Sequence, residues 1–197
     1  MLNVMLTGVG GQGTVLAAKV LAQAAQEKGW PVRTAETIGM AQRGGSVVSH
    51  VRMGDQGEEV FSPLIAKGCA DVIIAFEPAE AARMLPYLSP NGVLVTATTA
   101  IQPVTAALSA NPYRGARIIE RLYGMFDIDS ARLAVVPDEA ILKRVGNRKA
   151  LNIALLASAV DTGRLPLSLD DLRDAVKICV KPAFVDLNLK AIDITVE

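Results

Sequence analysis

A glycine-rich turn near the amino terminus constrains the fold of this chain more than any other stretch. The turn, Gly8-Val9-Gly10-Gly11-Gln12-Gly13, lies between an apolar run, Leu2 to Leu6, and a helical pattern that begins near Thr14. A buried strand that turns directly into a helix exposes backbone N–H groups at the positive end of the helix dipole, where phosphate or another anion binds. The first, third and sixth positions of the turn also match the dinucleotide-binding fingerprint. The turn therefore predicts an α/β fold, with either a phosphate site or a purely structural turn at this point.

The residues after the turn extend this pattern. Thr14 to Lys28 has one polar and one apolar face, as an amphipathic helix does, and Val32 to Thr37 follows as a second strand. Together they predict a β-turn-α-β unit. Glu36, near the end of the second strand, is placed where a nicotinamide-dependent dehydrogenase accepts hydrogen bonds from ribose hydroxyls.

A second glycine-rich loop, Ile38 to Ser46, follows the second strand and contains Arg43, Gly44 and Gly45. Glycines in a loop cost conformational entropy, so we expect its backbone to come close to a ligand or to another subunit. The planar guanidinium of Arg43 suits phosphate or carboxylate, although an arginine that bonds to carbonyl groups of its own loop is the commoner case.

The remaining chain predicts a three-layer α/β/α architecture. Ser46 to Met53 and Glu58 to Phe61 flank the turn Gly54 to Gly57, which predicts a β-hairpin and hence a mostly parallel but mixed sheet. Strands and helices alternate to about residue 136, and helices follow, so we expect a single domain over residues 1–197 with a helical part over about 137–197. Ser168 to Asp171 has a capping-box pattern at the start of one of these helices.

Few side chains are candidates for catalysis or metal binding, and we predict neither a catalytic residue nor a metal ligand in this chain. Glu77 follows a predicted strand, where it either contacts a ligand or caps the next helix. His50 is the only histidine, and it lies inside a predicted strand. Cys69 and Cys179, the only cysteines, are too few for an iron–sulfur cluster, and we expect them to be reduced in the cytoplasm.

The composition argues against several classes of partner. Lysine plus arginine and aspartate plus glutamate both number 20, so the sequence shows no excess of positive charge for a nucleic acid. The amino terminus lacks the basic region of a signal peptide, and no apolar run is long enough to cross a bilayer. We therefore expect a cytoplasmic protein that binds neither nucleic acid nor a membrane.

Two motifs taken together resemble one known family. The first motif is the turn at residues 8–13, and the second is Met40-Ala41-Gln42-Arg43-Gly44-Gly45-Ser46-Val47 with Ser49-His50-Val51-Arg52. Together they resemble the gamma-type subunits of the 2-oxoacid:ferredoxin oxidoreductases. The sequence of the second motif favours the indolepyruvate branch of this family. The specific motifs lie in residues 8–52, and the later half agrees in general pattern only.

The resemblance implies a role inside a complex. Such a complex oxidatively decarboxylates a 2-oxoacid, here an arylpyruvate, with CoA and ferredoxin, and a large alpha subunit carries the thiamine diphosphate and iron–sulfur clusters. This chain is then expected to be inactive alone, to complete the complex and to help position CoA. The expected CoA-binding residues are Gly8, Gly10, Gly11, Gln12, Gly13, Arg43, Gly44 and Gly45. The glycine loops are alternatively the contact surface for the large subunit, and a homodimer of the isolated chain is a further assembly to consider.

Two other functions fit the glycine turn. One is an NAD(P)- or flavin-dependent oxidoreductase, favoured by the fingerprint and Glu36, although no substrate domain follows. The other is a non-catalytic module that binds a nucleotide. The sequence leaves the identity of the 2-oxoacid open.

Overall fold

The computed structural model describes residues 1–38, 45–101, 113–126 and 131–197. Within these ranges the strands are β1 (Leu2–Val9), β2 (Val32–Ile38), β3 (Ser46–Met53), β4 (Ala70–Ala75), β5 (Leu88–Ala97) and β6 (Leu133–Val136). The helices are α1 (Thr14–Glu27), α2 (Pro78–Met84), α3 (Gly115–Met125), α4 (Asp138–Val145), α5 (Leu151–Asp161), α6 (Leu169–Cys179) and α7 (Val185–Val196). The longest of these helices, α1, has 14 residues, and no helix in the described ranges is both long and apolar enough to span a bilayer.

The six strands form one sheet in the order β2-β3-β1-β4-β5-β6. β1, β4, β5 and β6 are parallel neighbours, whereas β3 is antiparallel to both β1 and β2. The prediction of a mostly parallel, mixed sheet is therefore confirmed.

Apolar side chains on the two faces of the sheet form two separate clusters. One cluster packs α1 and the helices α4 to α7 against inward residues of the sheet such as Leu6 and Ile74. The other packs α2 and α3 against the opposite face, through residues such as Ile73 and Leu94. Alternate residues of one strand thus face opposite helical layers, as the period of a strand requires. The three-layer prediction with additional carboxyl-terminal helices is confirmed.

The predicted β-hairpin is wrong, although the sheet is mixed. β3 pairs along one edge with β1 and along the other with β2, so residues 58–61 have no strand edge of β3 to pair with. The three consecutive buried residues Ser49, His50 and Val51 are typical of such an internal strand. Phe61, which would have continued the hairpin, is 88% exposed.

The insertion of β3 also changes the predicted β-turn-α-β unit. β2 follows α1 in sequence but is not the neighbour of β1, because β3 lies between them. Two strand spacings, about 9–10 Å, therefore separate Glu36 from β1. In a dinucleotide-binding fold the corresponding strand lies directly beside β1. The exposed Glu36 is thus not at the position that contacts a ribose bound over the glycine turn.

Candidate functional site

The glycine turn joins the end of β1 to the start of α1, and two of its glycines are required by backbone geometry. Gly11 and Gly13 have φ angles of 99° and 82°, in the left-handed region that side chains other than glycine rarely adopt. Gly13 is the residue that precedes α1, and with no side chain it offers no acceptor to the first N–H groups of the helix. The N-cap position of α1 therefore supplies no side-chain hydrogen bond to these N–H groups.

The Gln12 side chain closes the turn from the inside. Its Oε1 accepts a hydrogen bond from the backbone N–H of Val9 at 2.7 Å, and its Nε2 donates to the carbonyl oxygen of Phe76 at 2.8 Å. A Cβ atom on Gly8 would lie 2.8 Å from Gln12 Oε1 and 3.0 Å from the Phe76 ring, so a larger residue there would displace the Gln12 amide from its hydrogen bonds. Gln12 thus links the carboxyl ends of β1 and β4.

This link lies where the chain changes from one face of the sheet to the other. The helix after β1 packs on one face, and the helix after β4 packs on the opposite face. Open α/β sheets bind ligands at such a switch point, outside the carboxyl ends of the strands. Here the Gln12 amide occupies the crevice between β1 and β4, so the space available to a ligand lies beside the turn.

The two glycine loops meet through the backbone. The N–H of Gly10 donates to the carbonyl oxygen of Gly45 at 2.9 Å. The next residue, Ser46, donates its hydroxyl to Glu80 Oε2 at 2.6 Å, and Glu80 is buried. Arg43 and Gly44, which we predicted to bind CoA, lie outside the described residues.

A cavity of about 430 Å³ lies beside the turn on the side of α1. Its lining joins the amino-terminal ends of three helices: Gly13 precedes α1, Asp138 begins α4, and the 3₁₀ turn Arg148–Ala150 leads into α5. Helix amino termini carry partial positive charge, and the exposed side chains of Arg148 and Lys149 add two full charges. The cavity is therefore suited to an anion.

Asn152 holds two of these helices together. It lies in the first turn of α5, is 2% exposed, and donates its Nδ2 to the carbonyl oxygen of Gly13 at 3.3 Å. A Cβ atom on Gly13 would approach Asn152 Nδ2 to 2.7 Å. The close approach of α5 to α1 is a second reason for glycine at position 13.

Asp138 is a buried carboxylate beside the cavity. Its Oδ1 accepts hydrogen bonds from the N–H of Thr98 at 2.8 Å, the hydroxyl of Thr98 at 2.7 Å and the N–H of Thr99 at 3.0 Å. Its Oδ2 has no partner among the described residues, and neither has the buried Oγ1 of Thr99. Asp138 is 0% exposed, so neither outer water nor a molecule in the cavity reaches this carboxylate.

Glu77 acts as a helix cap in the structure. Its Oε2 accepts from the N–H groups of Ala79 at 2.8 Å and Glu80 at 3.1 Å, at the start of α2. Its Oε1 accepts from the Tyr113 hydroxyl. Burial, together with the hydrogen bond to Glu77, raises the pKa of the Tyr113 hydroxyl. Of the two roles considered for Glu77, the cap is the one observed.

The other candidate side chains do not line the cavity. His50 is 7% exposed, and its Nδ1 accepts from the N–H of Ile65 at 3.3 Å, while burial lowers the pKa of the imidazole. Cys69 and Cys179 are free thiols. Within residues 1–38, 45–101, 113–126 and 131–197, no three histidine, cysteine or acidic side chains lie close enough together to hold a metal ion.

The sequence reasoning missed the residues that line the cavity opposite the turn. Asp138 follows the strand β6 at the carboxyl edge of the sheet, where ligand-binding side chains gather. The adjacent bases Arg148 and Lys149, just before an apolar helix, were a second usable signal. Neither signal says that these residues lie beside the turn at residues 8–13.

Comparison with known proteins identifies the family. The family model described as pyruvate ferredoxin/flavodoxin oxidoreductase matches residues 3–197. The chain belongs to this family. The resemblance inferred from the two glycine-rich motifs is thereby confirmed.

Individual relatives agree with this family over nearly the whole chain. The chain is 35% identical to the indolepyruvate oxidoreductase subunit IorB of Pyrococcus horikoshii, over 99% of this chain and 94% of that protein. It is 38% identical to the protein of the same name from Archaeoglobus fulgidus, over 97% of this chain and 92% of that protein.

A solved structure shares the fold. The gamma subunit of the keto/oxoacid ferredoxin oxidoreductase of Geobacter sulfurreducens superposes with a TM-score of 0.70 at 24% identity, covering 100% of this chain and 96% of that one.

Proposed function

We propose that this chain is the subunit without cofactors in a complex that oxidatively decarboxylates an arylpyruvate of the indolepyruvate type. The complex transfers the acyl group to CoA, releases CO₂ and passes the electrons to ferredoxin. The names of the relatives from P. horikoshii and A. fulgidus support this assignment, since both match this chain almost from end to end.

The large subunit of the complex is expected to carry the thiamine diphosphate and the iron–sulfur clusters. A cluster needs about four thiolate ligands, and this sequence contains two cysteines. Both are free thiols, which fits a reducing cytoplasm. The isolated chain is then inactive, and its contribution is to assembly and to binding CoA.

The cavity beside the glycine turn is the observation that supports CoA binding. It combines the uncapped start of α1 with Arg148 and Lys149, which is the chemistry that phosphate groups select. We include Arg43 and Gly44 in this site as a hypothesis, because Gly45, the next residue, is hydrogen-bonded to Gly10 in the turn.

Substitution of Arg43 tests the CoA role. In the purified complex, Arg43→Ala is expected to raise the KM for CoA about tenfold, the loss of roughly one charge-assisted hydrogen bond, without a change in kcat or in the KM for indolepyruvate. Arg33→Ala is the matched control, because Arg33 is exposed and its side chain bonds only to the neighbouring carbonyl of Val32 among the described residues.

An unchanged KM for CoA in the Arg43→Ala complex would contradict the phosphate role of this arginine. Dissociation of the subunits at unchanged KM would assign the loop to the contact with the large subunit.

The alternative of a nicotinamide-dependent dehydrogenase is not supported by the fold. β3 separates Glu36 from the glycine turn, and the Gln12 amide occupies the crevice at the switch point.

A further inference from the structure

A second cavity, of about 360 Å³, opens between α1, the end of α6 and the start of α7, and we call it the α6–α7 groove. Its apolar lining consists of Leu16, Val180, Phe184 and Leu187. Two exposed lysines, Lys149 and Lys181, also line it. No acidic side chain is among the described residues of this lining. The groove thus combines an apolar surface with positive charge.

The two lysines of the groove have no counter-ion among the described residues. The lysine ion pairs in the described ranges are those of Lys28 and Lys177, and neither includes Lys149 or Lys181. The carboxyl end of α6 contributes only about half a negative charge, which the two ammonium groups outweigh. The groove therefore attracts an anion.

The groove is held in shape by hydrogen bonds within the chain. Asn188 is 6% exposed, and its Nδ2 donates to the carbonyl oxygen of Phe184 at 2.7 Å. The N–H of Phe184 in turn donates to the carbonyl oxygen of Lys181 at 2.9 Å. A site that is formed before its ligand arrives loses little conformational entropy on binding, as is usual for small-molecule sites.

We propose that the α6–α7 groove binds a small carboxylic acid with an aryl group. The carboxylate lies beside Lys149 and Lys181, and the aryl group lies against the apolar lining, where the ring of Phe184 packs against it. The volume of about 360 Å³ is near the lower end of the range for small-molecule sites, which suits one or two fused rings. This ligand goes beyond the proposed function, because it binds outside the cavity that the glycine turn lines.

Three probes separate the charge of the ligand from its ring. Calorimetric titration of the full chain compares indole-3-acetate with indole-3-acetamide, which has the same ring without the charge, and with acetate. The amide is expected to bind about tenfold more weakly, since a charge-assisted contact is lost. Acetate is expected to bind roughly a hundredfold more weakly, since it buries almost no apolar area. Absence of binding by indole-3-acetate, or an affinity equal to that of either other probe, would overturn the proposal.

The role of the charge is tested at Lys181, which lines this groove and not the cavity beside the glycine turn. Lys181→Met is expected to weaken indole-3-acetate about tenfold and to leave indole-3-acetamide within about twofold of the wild type. Lys177→Met is the matched control, because Lys177 is an exposed residue of α6 outside the lining. Equal weakening of indole-3-acetate by both variants would indicate nonspecific attraction and overturn the proposal.

Cys179 reports where the ligand binds, because this free thiol also lines the groove. Cys69, a free and exposed thiol outside the lining, is the internal control. The full chain is alkylated with iodoacetamide in mildly alkaline buffer, because burial raises the pKa of Cys179, and the two peptides are followed by mass spectrometry. Indole-3-acetate at roughly ten times its dissociation constant is expected to slow alkylation of Cys179 about tenfold and to leave Cys69 unchanged. Slowing of both thiols, or of neither, would overturn the proposal.

The other occupant to consider is an apolar segment of the large subunit. Such a segment would protect Cys179 from alkylation in the purified complex without any added acid. That protection, together with no effect of indole-3-acetate on the isolated chain, would assign the groove to the subunit contact and overturn the proposal. These measurements do not depend on CoA turnover, so this proposal and the proposed function fail or stand separately.

Discussion

Among single residues, Gln12 shows how a position inside a binding motif can serve the fold itself. Both polar atoms of its amide are engaged, one with the N–H of Val9 and the other with the carbonyl of Phe76. Gly8 leaves room for this amide, which a Cβ atom at that position would contact at 2.8 Å. The backbone of the turn remains available to an anion on its other side, toward the cavity with Arg148 and Lys149.

His50 is expected to make the stability of the protein depend on pH. Its Nδ1 accepts a hydrogen bond from Ile65, which requires a neutral imidazole, and burial lowers its pKa below the usual value. The unfolded chain binds a proton at this side chain near pH 6.5, so below that pH the unfolded state holds more protons than the folded one. The free energy of unfolding is expected to fall as the pH drops from 7.5 to 5.5.

Chemical denaturation at a series of pH values measures this effect, and His50→Gln is the comparison because its amide oxygen can accept but does not titrate. The variant is expected to show a smaller slope than the wild-type chain between pH 5.5 and 6.5. Parallel pH profiles for the two proteins would exclude His50 as the titrating group.

At the scale of elements, the start of α1 depends on glycines for two separable reasons. Gly11→Ala places a side chain at positive φ with nothing within 4 Å of its Cβ, so it is expected to cost about 1–2 kcal/mol of stability. Gly13→Ala adds a clash with Asn152 and is expected to cost more. Thermal unfolding of both variants checks the order.

The clash is isolated by repeating Gly13→Ala in an Asn152→Ala background, where its cost is expected to approach that of Gly11→Ala. If Gly13→Ala costs no more stability than Gly11→Ala in the wild-type background, the close contact between Asn152 of α5 and position 13 is contradicted.

The capping box at the start of α6 gives a second prediction for an element. Ser168 Oγ accepts from the N–H of Asp171 at 3.1 Å, and Asp171 Oδ2 accepts from the N–H of Ser168 at 2.7 Å. Ser168→Ala is expected to cost about 1 kcal/mol, a fall in Tm of roughly 2–4 °C for a chain of this size. Ser168→Thr retains a capping hydroxyl and is expected to unfold close to the wild-type temperature; a loss equal to that of alanine would contradict the capping role.

Local patterns predicted the elements, whereas the order of the strands came from contacts distant in sequence. The turn at residues 8–13 and the capping box at Ser168 are each specified by neighbouring residues, and they lie where the sequence predicted them. The position of β3 between β1 and β2 depends on pairing with both, which no local pattern near Gly54 reveals.

The candidate site likewise combines residues that a local pattern singled out with residues that only the packing of helices brings together. Gly11 and Gly13, which line the cavity, belong to the turn that the sequence and the family resemblance singled out, and their role in binding stays a prediction. Asp138, Arg148 and Lys149 lie more than 120 residues further along the chain, and only the packing of α4 and α5 beside α1 brings them to the turn.

For the whole molecule, the relatives that match nearly the whole chain are named as subunits of an oxidoreductase, which supports a role as a subunit of a larger enzyme. The sheet is covered by helices on both faces, and the cavity opens beside the glycine turn. Binding of a CoA phosphate at this cavity would give the chain a direct part in the reaction.

Purification of the tagged chain from its native host tests the proposed function most directly. The eluate is assayed for reduction of a low-potential dye that depends on both indolepyruvate and CoA, and its protein components are identified. We predict this activity together with a larger iron–sulfur subunit. Recovery of the chain alone, without the larger subunit and without activity, would contradict the account and leave a separate nucleotide-binding module as the function to test.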